Sequence, residues 1–151
     1  MQLWSGAFTI VLALNVAWFS MAFWYFTLKS VAAAKLLVPK SARESPLFST
    51  VSASVRFLGA MNFAFALMSA LVLANLSLFD DPKQRALLAA VFAVAHAGQF
   101  VCNVPIAMGG GRRGESLWDV LSGPMLFIFV VDFTMMLANA VVSAGLLASA
   151  L

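Results

Sequence analysis

The stretch "LWSGAFTIVLALNVAWFSMAFWYFTL", residues 3–28, runs without a charged side chain until Lys29. A helix needs about 20 mainly apolar residues to cross the hydrocarbon core of a bilayer. This stretch is long enough, and so are three others, at about 55–79, 86–108 and 121–147. Residues 3–28 make a poor secretory leader: the start is not basic, the apolar run is too long, and bulky aromatics stand where a small-residue cleavage site belongs. The segment is therefore expected to stay in place as a span.

Composition points the same way. Hydrophobic residues make up 63% of the 151 residues and charged residues 10%, with a mean hydropathy of +0.97. A soluble domain is typically about half apolar and about a quarter charged. A chain of this length cannot hide so much apolar surface from water, so its solvent is lipid. The expected fold is all-α and integral to the membrane: an antiparallel bundle of four transmembrane helices, forming one membrane domain over residues 1–151. With one cysteine there is no internal disulfide, and no Cys/His cluster suggests zinc. The net charge of +3 lies mostly in two loops and reads as topology, not as a nucleic-acid footprint.

Orientation follows from the basic residues. Lys29, Lys35, Lys40, Arg43 and Arg56 flank the first connection, and Arg112 and Arg113 occupy the third. The second connection has only Lys83 and Arg85, beside Asp80 and Asp81. The positive-inside rule then places the first and third connections in the cytoplasm and both termini outside, in a membrane expected to be a bacterial inner membrane. In the first connection, "KSVAAAKLLVPK" is expected to be helical until Pro39, with "SARESP" irregular. Asp81-Pro82 reads as an N-cap followed by proline at the first helical position. "GGGRRGES" has no P-loop lysine and no preceding strand, so a phosphate cradle is not expected. The short second and third connections predict that spans two and three, and three and four, pack as antiparallel neighbours.

Each span carries small and polar residues at helical spacing. In span three these are Ala89, Ala93, His96, Gln99 and Asn103. In span four they are Asp132, Asn139 and Ser143, interleaved with Met125, Phe129 and Met136. Span two has Arg56, Gly59, Asn62, Ala66 and Ser69, and span one has Asn15 with Leu12, Trp18 and Ala22 on its face. Small residues let helices approach and polar side chains bond across the contact, so these faces should point inward. At ~1.5 Å per residue from the cytoplasmic boundary, His96 and Asp132 both lie ~16 Å deep and Asn15 ~18 Å. On the same count Gln99 lies ~12 Å deep, Asn62 ~10 Å and Asn103 ~6 Å. These depths outline a polar pocket that opens toward the cytoplasm.

Asp132 is the sharpest single feature. An ionised carboxylate at mid-bilayer costs about 2.5–3.5 kcal/mol on insertion scales, so it must be paired, hydrated or protonated. His96 is its first candidate partner by depth, and Arg56 its second by reach. A His–Asp pair would hold one proton between its members. The residues expected to form any ligand or cofactor site are His96, Asp132, Gln99, Asn103, Asn15, Asn62 and Arg56. No catalytic set and no metal site is expected, and the cofactor is left open. Trp24 and Tyr25 read as an interfacial aromatic belt, the methionines as gap fillers, and Cys102 as a small buried residue. Pro105 is expected to end or kink span three.

The layout of four spans, with Arg56-Phe57-Leu58-Gly59 opening span two and Ala95-His96 in span three, resembles the sterol C-4 demethylation scaffold family. It is also similar in general form to the DoxX-like group of small four-helix bacterial membrane proteins. The first resemblance implies a non-enzymatic tether for membrane enzymes, in which Arg56 and His96 are structural. Three functions then compete. One is an accessory or scaffold subunit whose partners are membrane lipids and other integral membrane proteins or further copies of itself. The second is a binder of haem, pigment or another lipophilic ligand through the His/Asp pocket. The third is a proton-coupled carrier or membrane enzyme that uses the same pair.

Overall fold

The computed structural model describes residues 2–110 and 117–151. The third connection's expected basic pair, Arg112 and Arg113, falls within residues 111–116, outside the described residues. The chain forms α1 (Gln2–Phe23), a π-helical turn (Trp24–Leu28), α2 (Ser30–Leu37), a 3-10 turn (Lys40–Ala42) and α3 (Leu47–Ala74). A second 3-10 turn (Leu76–Leu78), α4 (Pro82–Met108) and α5 (Gly123–Ala148) complete it. Four helical segments are long and apolar enough to cross a membrane: Gln2–Leu28, Leu47–Ala74, Pro82–Met108 and Gly123–Ala148. Among the described residues there is no strand. The protein is an all-α integral membrane protein.

Local chemistry sets the helix ends. Val38 is extended (φ −107°, ψ 122°) because Pro39 disfavours helical geometry in the residue before it, and α2 stops there. The side chain of Asp81 accepts from the Lys83 backbone N–H at 2.8 Å and caps α4, with Pro82 at the start of the helix. Pro105, expected to end or kink span three, does not end it, since α4 runs on to Met108. So close to the helix end its ring costs little of the ladder. The first connection is also more helical than expected, because α3 begins at Leu47, well before the apolar window. The Ser49 and Ser54 hydroxyls there bond back to the carbonyls of Pro46 and Thr50, which lets polar residues sit on an exposed helical turn.

The registers show how the helices run. Phe19 stacks on Phe65 (5.2 Å) and the tilted rings of Phe23 and Phe63 meet at 5.0 Å, so α1 and α3 are antiparallel. Ser143 bonds the Ala86 carbonyl and Phe100 stacks on Phe129 (4.7 Å), so α4 and α5 are antiparallel too. α1 pairs with α5, Asn15 meeting Asn139 and Trp18 meeting Asp132, while α4 lies parallel to α1 across the diagonal. Spans two and three, expected as antiparallel neighbours, meet through side chains and not through close backbones. Backbones approach most between α1 and α3 and between α4 and α5. Between α3 and α4 stand the rings of Phe65 and Phe92, with centroids 6.4 Å apart, and they hold the two backbones apart.

The α1–α3 contact depends on a glycine. A Cβ on Gly59 would overlap the hydroxyl of Thr27 and come within 2.9 Å of the Thr27 backbone nitrogen. The π-helical turn, closed by the Lys29 N–H on the Trp24 carbonyl at 3.2 Å, brings Thr27 to this place. The face that buries Gly59 also buries Asn62, Ala66 and Ser69. Leu3, Phe57, Leu87 and Val94, by contrast, are exposed on the outer surface of the bundle.

Candidate functional site

Five side chains from three helices meet in the middle of the bundle. α4 supplies His96, α5 supplies Asp132 and Asn139, and α1 supplies Asn15 and Trp18. His96, Asp132, Asn15 and Asn139 are fully buried. Nδ1 of His96 lies 3.1 Å from Oδ1 of Asp132, the pairing expected from their common depth. Nε2 of His96 lies 3.0 Å from Oδ1 of Asn15. The Trp18 indole N–H donates to the same Asp132 oxygen at 3.0 Å. Phe19 closes one face of the imidazole, its ring stacked at 4.6 Å and 15°.

The proton positions follow from one fixed acceptor. The Met135 carbonyl can only accept, and the Asn139 amide nitrogen donates to it at 2.8 Å. That fixes the orientation of Asn139 and turns its oxygen toward Asn15, whose amide nitrogen donates to it at 2.9 Å. The Asn15 oxygen therefore faces His96, so Nε2 carries a hydrogen and donates. On the other side of the ring, either an Nδ1–H donates to a carboxylate or a carboxylic O–H donates to Nδ1. In both cases one proton lies on the line between His96 and Asp132, and the pair is neutral overall. That is the inexpensive state in hydrocarbon. Oδ2 of Asp132 is buried with no hydrogen-bond partner among the described residues.

The other expected site residues lie elsewhere. Arg56, the second candidate partner of Asp132, is exposed and donates from Nε to the Ser30 hydroxyl at 3.2 Å, which ties α3 to the start of α2. Its helix position turns it to the rim instead of inward. Asn62 is buried, but its amide donates to its own helix at the Leu58 carbonyl (2.8 Å), and its oxygen has no partner among the described residues. Asn103 donates to the Gln99 carbonyl (2.8 Å) and accepts from the Trp118 indole (2.9 Å), anchoring the chain that leads into α5. Gln99 lines a small apolar cavity beside Trp18. Cys102, expected to be buried, is exposed. The pocket expected to open toward the cytoplasm is thus a sealed cluster, because Phe19, Trp18 and Asn139 fill the space around the His–Asp pair.

Sequence reasoning left Trp18 and Asn139 out of the site. Trp18 is one turn beyond Asn15 and Asn139 is two turns beyond Asp132, each on the same helical face. Shared face was therefore the available signal. The depth count placed Asn139 ~10 Å outward of Asp132, and Trp18 read as packing beside Asn15.

Chemically, the cluster is a clasp. It joins three helices through hydrogen bonds in which both imidazole nitrogens are engaged. A lone pair on His96 becomes available to an axial metal only after one of these bonds breaks. The fold and the cluster define a polytopic helical membrane protein closed around a buried polar core. Comparison of the chain with protein-family models, curated proteins and solved structures finds no match.

Proposed function

We propose that the protein is a membrane-embedded accessory or scaffold subunit, a bundle that docks larger integral membrane proteins or further copies of itself on its outer faces. One observation carries this reading: both imidazole nitrogens of His96 are engaged, by Asp132 and Asn15, in a cluster where His96, Asp132, Asn15 and Asn139 are fully buried. A carrier needs such groups to reach an aqueous path, and an axial haem or pigment ligand needs a free imidazole nitrogen. A scaffold needs only that they fix the order and rotation of the helices, which buried polar residues do well in lipid. Apolar side chains such as Phe57, Met61, Leu71 and Val94 remain exposed on the outer faces, available to lipid and partner helices.

Placement in a bacterial inner membrane with both termini outside belongs to the same proposal. Its support is the excess of Lys and Arg around the first and third connections over the second. A membrane-impermeant maleimide should label Ala150→Cys in intact spheroplasts of a Cys102→Ser background.

Native gels of mildly solubilised membranes test the role. In a scaffold the chain migrates in an assembly well above its own 16.1 kDa, and His96→Ala lowers both that assembly and the protein's abundance. A variant that keeps the assembly but loses a specific transport or enzymatic activity would count against the proposal.

A further inference from the structure

A cavity of about 380 Å³ lies at the end of the bundle where α2 stops and α5 begins. All four spanning segments have an end there, at Leu28, Leu47, Met108 and Gly123, so the cavity sits at the level of lipid headgroups. The end of α2 and Arg43 make one wall, and the chain from Leu117 into the first turn of α5 makes the other. Polar atoms form a substantial part of the lining, and Leu36, Leu37, Pro124 and Met125 supply apolar surface beside them.

Three charged residues stand on this lining: Lys35, Arg43 and Asp119. Arg43 is held in place, its Nε and Nη2 donating to the Val38 and Lys35 carbonyls at 3.0 and 2.6 Å. Both acceptors belong to residues of the same wall, which puts the guanidinium at the cavity. Those bonds leave part of its N–H fork for a ligand and its positive charge without a carboxylate. Lys35 and Asp119 are exposed at the edge. Among the described residues none of the three is in an ion pair.

Two cations and one carboxylate that share a cavity without meeting suit a ligand that carries both signs. A phosphodiester takes the Lys35 and Arg43 donors, and a primary ammonium donates to Asp119. The apolar residues beside them suit a glycerol and the first acyl carbons. A quaternary ammonium has no N–H to offer the carboxylate. A headgroup without a cation leaves Asp119 beside a phosphate of like charge.

We propose that this cavity binds the phosphoethanolamine headgroup of a membrane phospholipid, with phosphate on Lys35 and Arg43 and ammonium on Asp119. The site uses no residue of the His96–Asp132 clasp and does not rest on the scaffold role.

Native mass spectrometry tests it, with the full chain released from micelles holding equal amounts of phosphatidylethanolamine, phosphatidylcholine and phosphatidylglycerol of matched acyl chains. Wild type should retain one phosphatidylethanolamine, favoured over phosphatidylcholine by about tenfold, the size of one charge-assisted hydrogen bond. Lys35 and Asp119 are exposed and unpaired, so their variants keep the fold. Asp119→Asn should retain the two lipids equally, and Lys35→Gln should weaken both several-fold without changing their ratio. Glycerophosphoethanolamine, the same headgroup without acyl chains, should fail to displace the lipid at equal concentration; displacement there overturns the lipid as ligand. A preference for phosphatidylglycerol, no retained phosphatidylethanolamine, or indifference to Lys35→Gln overturns the proposal. So does a phosphatidylethanolamine preference that survives in Asp119→Asn.

Discussion

Trp18 on α1 donates its indole N–H to Oδ1 of Asp132 on α5 at 3.0 Å, and Nδ1 of His96 on α4 approaches that same oxygen at 3.1 Å. One carboxyl oxygen is thus the meeting point of three helices, and its loss would loosen all three contacts together. Trp18→Phe keeps a ring beside Phe127, whose centroid is 5.6 Å away, and removes only the donor. It should lower unfolding stability in mixed micelles by about 0.5–1.5 kcal/mol. An unchanged SDS-unfolding midpoint would show that this bond contributes nothing.

Asn139 sets the tautomer of His96 at one remove, through Asn15. Asn139→Leu frees the Asn15 amide to turn, and Nε2 of His96 no longer has a fixed acceptor. Solid-state 15N NMR of wild type should show Nε2 protonated. In Asn139→Leu the signal should become a mixture, with a stability loss of about 1–3 kcal/mol from the unpaired amide. A single protonated Nε2 in both proteins would show that Asn139 does not set the tautomer of His96.

Gly59 and Gly98 make a paired test of close approach. A Cβ at Gly59 runs into Thr27, backbone included, whereas one at Gly98 meets nothing within 4 Å. Gly59→Ala should therefore destabilise by about 1–3 kcal/mol. Gly98→Ala should be neutral or gain up to about 1 kcal/mol from helix propensity. Equal midpoints for the two variants would mean that α1 and α3 are not in tight contact at this level.

Asn103 should act at its own end of the bundle, beside Trp118, and nowhere else. Asn103→Leu removes the acceptor of the Trp118 indole (2.9 Å) while leaving the central cluster untouched. Amide exchange at residues 117–122 should speed up, and the His96 15N signal should stay where it is in wild type. A shifted His96 signal would tie Asn103 to the central site after all.

The four spans were legible because each has about 20 apolar residues, a one-dimensional property. So was the inward face of each span, where Asn15, Asn62, His96, Asp132 and Asn139 are all buried. The pairing of His96 with Asp132 was legible as well, because equal depth on inward faces leaves few partners. Depth says nothing about azimuth. Arg56 had the reach for Asp132, yet it is exposed at the rim and bonds Ser30. The π-helical turn at Trp24–Leu28 has no periodicity signal of its own. Nor does the wedge of Phe65 and Phe92, which separates two helices that a short connection places side by side. Whether polar side chains line a pocket or seal it depends on which rings fill the space between them. Phe19 and Trp18 decide that here, and a helical wheel shows such rings only as apolar bulk.

The clasp itself is tested most directly by a double-mutant cycle on His96→Ala and Asp132→Ala, read as unfolding free energy in mixed micelles alongside assembly in native gels. Each single variant leaves a buried polar partner unpaired, at about 1–3 kcal/mol or more. The double variant should be no less stable than the worse single variant, and assembly should fall in step with stability. Additive losses in the cycle, or three stably assembled variants, would show that His96 and Asp132 do not hold the bundle together as a pair.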